Sequence, residues 1–154
     1  MCDPVTINPR IIEALYCEAL ALSDDVRVAF TLPGQFERAA ADEDLSRVAL
    51  SSEGLRTTTR MMHAIAWLLN HRAYFMGEIS EFQLRRHGRL SQELCRCDPR
   101  QVARLDQEVA LLVEVTRRFY ERLLRLDRNW RLNGPAASSA VERLRQRIEE
   151  RLAG

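Results

Sequence analysis

The sequence predicts an all-α protein: an antiparallel three-helix bundle with a short extra helix and a C-terminal tail helix. Three observations carry that expectation. Apolar residues recur every three or four positions over long segments. Turn-formers are few, six Gly and five Pro in 154 residues, and they gather at the apparent connections. No stretch alternates β-branched with polar residues over a useful length. With 46% apolar and 29% charged residues the chain has the make-up of one globular domain. Residues 1–134 are assigned to the bundle and 135–154 to the tail.

Asn8-Pro9 reads as an N-cap followed by a first-turn proline. Behind it Ile11, Ile12, Leu15, Ala19, Leu22 and Val26 make a buried stripe, so a first helix is expected over about 9–30. Leu32-Pro33-Gly34 stops it, and residues 35–43 are read as a polar connection. A second helix is expected over about 44–76. Its core face is assigned to Val48, Leu55, Met62, Ile65, Ala66, Leu69, Ala73 and Met76, and Gly77 is the terminator. Ser80 and Gln83 form a capping box that opens a shorter helix running as far as Leu94, with Gly88 its weak point. The third long helix starts at Asp98-Pro99. Val102, Leu105, Val109, Leu112, Thr116, Phe119, Leu123, Leu126 and Trp130 carry it for roughly 50 Å at 1.5 Å per residue, until Asn133-Gly134-Pro135 ends it. Beyond Ser139 a weak stripe of Val141, Leu144, Ile148 and Leu152 predicts a marginal tail helix. The second helix is apolar around most of its circumference between Met61 and Leu69. Three helices cover such a segment poorly, so a homodimer is expected, with this helix near the interface.

The net charge of +1 argues against a general nucleic-acid binder. It is unevenly spread: residues 1–54 hold ten acids and four Arg, whereas residues 55–154 hold nineteen Arg and twelve acids. All 23 basic residues are arginine, which removes Schiff-base and P-loop lysine chemistry and favours planar, two-pronged contacts with carboxylates. Met1 to Pro9 lacks the basic and apolar regions of a signal peptide. Cys2, Cys17, Cys95 and Cys97 show no CxxC spacing, so reduced thiols in a cytoplasmic setting are expected. The longest apolar run, Met61 to Leu69, is too short to span a bilayer, and no membrane insertion is expected.

His63 and His71 are two helical turns apart without the interleaved carboxylates of a metal helix. No nucleophile elbow or glycine-rich phosphate loop is present, and no catalytic, cofactor or metal site is assigned. One stripe of the second helix stands out. Glu53, Arg56, Arg60, Trp67, His71 and Tyr74 share a sector of about 60° opposite the Leu55/Met62/Leu69 face, at 100° per residue. It reads in three ways: as a solvated face, as a set of Arg and aromatic partner-binding anchors, or as internal scaffolding in which Glu53 ties down Arg60 and Trp67 packs beneath another helix. The segment Arg85-Arg86-His87-Gly88-Arg89 beside Phe82 is the second candidate. Its concentration of arginine suits phosphate or an acidic protein partner. The candidate partner-binding set is therefore Glu53, Arg56, Arg60, Trp67, His71, Tyr74, Phe82, Arg85, Arg86 and Arg89.

The run Ser52-Glu53-Gly54-Leu55-Arg56-Thr57-Thr58-Thr59-Arg60-Met61-Met62, then Ala66-Trp67-Leu68-Leu69, Arg72-Ala73 and Gly77-Glu78-Ile79, resembles the signature of the alphaproteobacterial DUF1465 family, to which the regulator of CtrA degradation (RcdA) belongs. The resemblance implies a dimerising three-helix bundle without catalytic residues. It also implies an adaptor role, linking protein cargo to the ClpXP protease in cell-cycle-regulated proteolysis. Glu53, Arg56, Thr57, Arg60, Trp67, Leu68 and Arg72 are the residues that match its motif. The expected function is thus a non-enzymatic protein–protein interaction module. The alternative is a nucleic-acid-binding regulator using Arg85 to Arg89.

Overall fold

The structure is a computed structural model that describes residues 7–31, 43–133, 144, 145, 147–149, 151 and 152. Helix α1 spans Pro9–Thr31. Asn8 caps it, its Oδ1 accepting from the Ile11 amide at 3.0 Å, which satisfies one of the amides a helix start leaves unpaired. Ile12, Ala19 and Val26 are buried at seven-residue spacing, and Leu15, Tyr16, Leu22 and Phe30 pack beside the core. Helix α2 spans Glu43–Phe75. It closes on Gly77, whose φ of 78° lies in the left-handed region. The Glu78 amide can therefore turn back to the Ala73 carbonyl at 2.9 Å. The two helices are antiparallel. Phe30, near the end of α1, faces Gly54 on the first half of α2, and Arg72, near the end of α2, pairs at 2.9 Å with Glu13 at the start of α1.

Helix α3, Glu81–His87, opens on the expected capping box. Gly88 ends it, its amide donating to the Leu84 carbonyl at 2.8 Å. A 3₁₀ turn follows at Gln92–Cys95, then a single turn, α4, at Pro99–Val102 capped by Asp98. The last long helix is α5, Gln107–Leu132.

The helix expected from Asp98 onward is therefore broken at 103–106, and the spatial order explains the break. Arg131 binds the Arg85 carbonyl, Tyr120 binds that of Ser91, and Arg60 bridges the Leu94 carbonyl to Thr116. As residue numbers rise from 85 to 94, their partners on α5 fall from 131 to 116. Residues 80–102 thus form a return leg antiparallel to α5, and the chain must turn before α5 can run back up. Successive legs of this all-α bundle are antiparallel, while α2 and α5 run parallel to each other.

The core lies between α1, α2 and α5, with Met61, Ala64, Trp67, Leu68, Phe119, Tyr120 and Leu123 buried. One expectation is inverted. Val48, Leu55, Met62, Leu69 and Met76, assigned to the core face of the second helix, are exposed; Leu55 is 72% exposed. The opposite stripe is buried instead. Residues 35–42 of the expected connection, Cys2, and the start of the tail lie outside the described residues. In the tail, Leu144, Ile148 and Leu152 are helical and exposed.

A Cβ at Gly54 would stand 2.8 Å from the Phe30 ring, so this glycine sets how closely α1 approaches α2. Gly54→Val should cost about 2 kcal/mol by overpacking, measured by urea denaturation. Adding Phe30→Ala to that variant should cost less than Phe30→Ala costs alone, a positive coupling in the double-mutant cycle.

Candidate functional site

The inward face of α2 is polar. Glu53, Thr57, Arg60 and His71 have no solvent exposure, and Trp67 retains 2%. They step along the helix by three and four together with Ala64, the spacing of a buried seam. Arg60 is the hub of its lower half. Its Nε donates to the Leu94 carbonyl at 2.6 Å. Its Nη1 donates to Thr116 Oγ1 at 3.0 Å and to the Val113 carbonyl at 3.4 Å, and Nη2 reaches the Arg96 carbonyl at 3.4 Å. Burial lowers its pKa, while nearby Cys95 and Glu53 work the other way. One guanidinium thus fastens α2 to both the return leg and α5. The planar fork is what allows it, since each nitrogen points to a different acceptor.

Trp67 organises the upper half. Its indole N–H donates to Asp127 Oδ1 at 3.0 Å, and Arg131 Nε donates to Asp127 Oδ2 at 2.9 Å, so the 5% exposed Asp127 carboxylate is engaged on both oxygens. His71 lies between two indoles, 4.0 Å from Trp67 and 5.3 Å from Trp130 by ring centroids. Burial depresses its pKa to about 4; Asp127 opposes that shift and Arg131 adds to it. The imidazole is therefore neutral at physiological pH. Arg85 stacks over the outer face of Trp130 at 4.4 Å and pairs with Glu81 at 2.9 Å. Tyr120 donates to the Ser91 carbonyl at 2.9 Å, and burial raises its pKa to about 12. Cys95 sits beside this network as a free thiol whose pKa burial raises, the condition of an unreactive cysteine.

These placements correct the candidate partner-binding set. Glu53, Arg60, Trp67 and His71 are interior groups and present nothing to a partner. Arg56 is half-buried, its Nη1 3.4 Å from Glu53 Oε1. Tyr74 is half-buried with its ring 5.3 Å from Phe75. Among the three readings of the stripe, Trp67 packs beneath another helix, α5, but the carboxylate of Glu53 stands against Arg56 and makes no ion pair with Arg60. The second candidate divides as well. Phe82, Arg86 and Arg89 are exposed, whereas Arg85 is folded onto Trp130. Asp127 and Thr116 complete the buried network and do not stand among the sequence candidates. The clue is that Val109, Val113, Thr116, Tyr120, Leu123 and Asp127 form one seam on α5. A carboxylate in a seam of that kind needs a buried donor.

The family described as Protein of unknown function (DUF1465) matches residues 4–152. The chain belongs to the DUF1465 family. No curated protein and no solved structure matches it. Residues 52–79, which carry the family-like motif, supply the buried polar seam and all of the exposed apolar one except Val48. Among the described residues no three His, Cys, Asp or Glu side chains gather as metal ligands, and no helix is long and apolar enough to cross a membrane.

Two predictions follow from burial. Arg60→Met strands the acceptors at Leu94 and Thr116 and should lower stability by about 3 kcal/mol in urea denaturation; Arg60→Lys, with one nitrogen in place of a fork, should rescue little of it. His71 has a folded pKa below its unfolded value near 6.5, so its contribution is complete above pH 6.5 and drains away as pH falls toward 4. Between pH 7 and pH 5 the unfolding free energy should drop by about 2 kcal/mol. His71→Gln should flatten that dependence.

Proposed function

We infer that this chain is a non-catalytic protein-binding module of the cytoplasm. In this reading it acts as a homodimer and as an adaptor that brings protein cargo to the ClpXP protease in cell-cycle-regulated proteolysis. The observation that carries an interaction role is the outward face of α2. Val48, Leu55, Met62, Leu69 and Met76 are exposed large apolar residues at intervals of seven. Smaller residues, Ser52, Thr59, Ala66 and Ala73, fall between them at alternating steps of four and three. That is the heptad pattern of a helix that pairs with another helix. It covers about 42 Å of α2 at 1.5 Å per residue. A row of large exposed apolar residues of that length, interrupted only by the small Ser52, Thr59, Ala66 and Ala73, is the mark of an association surface. A second copy, with the same seam to cover, is the occupant proposed.

The non-catalytic part of the reading is supported by how the chemically capable side chains are used. Arg60, Trp67 and Asp127 are desolvated and hydrogen-bonded between helices. The adaptor part is supported by the motif at residues 52–79 and its resemblance to the regulator of CtrA degradation. Sedimentation should give twice the mass of 17.8 kDa for the wild type, and the monomer mass for Leu55→Glu/Met62→Glu with helicity retained. Purified wild-type chain should bind purified ClpX and speed degradation of a cargo protein by ClpXP. A monomeric wild type removes the dimer; no binding to ClpX and no acceleration remove the adaptor role.

A further inference from the structure

The residues just after α3, Arg89 to Gln92, form one wall of an open groove of about 680 Å³, and the last turns of α5 form the other. Leu90, Leu124 and Leu132 give the groove an apolar lining. Leu90 is buried, but Leu132 is 66% exposed, so the lining is open to solvent. Arg89 and Arg128 stand at the exposed rim, and neither has an ion-pair partner among the described residues. Arg131 is turned inward, its Nε held by Asp127 and its Nη1 by the Arg85 carbonyl.

The wall carrying Arg89 is held in place. The Gly88 amide is tied to the Leu84 carbonyl, the Ser91 carbonyl accepts from Tyr120, and Leu90 is anchored in the core. A groove fixed this way loses little freedom when it is filled.

We propose that this groove binds a short acidic-apolar segment of a partner protein, its carboxylates meeting Arg89 and Arg128 while an apolar side chain between them rests on Leu90, Leu124 and Leu132. The proposal rests on the reading of the chain as a protein-binding module and names a site and a class of partner for it. Guanidinium forks left unpaired at a surface match carboxylates in geometry and charge, and a leucine lining between them calls for an apolar residue. Nucleic acid fits the lining less well. No aromatic ring lines the groove for bases to stack on, and the leucines occupy wall that phosphates would need.

The test uses purified full-length protein and a fluorescein-labelled peptide, Gly-Glu-Leu-Asp-Phe-Glu-Gly, followed by anisotropy. Binding on the order of 10 μM is expected. Arg89→Glu/Arg128→Glu should weaken it about tenfold or more with the circular dichroism spectrum unchanged. Leu132→Asp, which changes the apolar lining at an exposed position, should weaken it comparably. A peptide with Gln and Asn in place of Glu and Asp should bind at least about tenfold less well. Equal binding by the reversed variant, equal binding of the amide peptide, or tighter binding of single-stranded DNA than of the acidic peptide would overturn the proposal. The assay contains no protease component. Peptide binding without ClpX binding removes the adaptor role and keeps the groove, and the converse removes the groove alone.

Discussion

A guanidinium shut away from water has to find its acceptors inside the protein, and Arg60 finds them on two chain segments at once. Removing such a group from water costs several kcal/mol, recovered only when its donors are well placed. Carbonyls of the return leg and Thr116 of α5 supply that placement. The consequence is architectural. The α2–α5 register and the course of residues 92–96 are fixed by one side chain, because moving either segment would leave Arg60 unpaired. Higher in the bundle, Trp67, Asp127 and Arg131 repeat the arrangement with an indole as donor and a carboxylate as acceptor. Directional contacts of this kind specify which surfaces meet, and apolar packing alone does that less sharply.

Turning the polar face inward leaves the apolar one outside. Helix α2 carries two seams of the same period on opposite sides. The inner seam pairs Arg60 and Trp67 with acceptors on other segments and buries Glu53, Thr57 and His71 with no side-chain hydrogen bond, and the outer one lays Val48, Leu55, Met62, Leu69 and Met76 open. The same stretch of sequence therefore supplies core contacts on one side and a row of large exposed apolar residues on the other.

The acidic first third and the basic remainder meet within one subunit. Glu13 pairs with Arg72 at 2.9 Å and Glu18 with Arg122 at 2.6 Å, joining α1 to α2 and to α5. Both arginines also lie over rings, Arg72 over Tyr16 at 4.4 Å and Arg122 over Phe119 at 5.2 Å. Exposed pairs of this type add little stability one by one. Their effect is to complement α1 with the helices it packs against.

Local signals in the sequence determined most helix ends: Asn8 before Pro9, the Ser80–Gln83 box and Gly77 as terminator act through neighbours a few residues away, whereas Gly88, read as a weak point in a helix reaching Leu94, ends that helix outright. Periodicity likewise marked both seams of α2 and part of that of α5, reaching Val109, Thr116 and Leu123 but not Val113, Tyr120 or Asp127. Which α2 seam goes inside was decided only by the tertiary structure. Hydrophobicity ranks Leu55 and Met62 as core and Arg60 and His71 as surface, and the ranking reverses once acceptors and aromatic walls become available. Those partners lie 34 to 60 residues away in the chain for Arg60 and Trp67, beyond the reach of any helical period. The break at 103–106 has the same origin. An apolar stripe can run unbroken through it, but only the return leg antiparallel to α5 requires the chain to turn there.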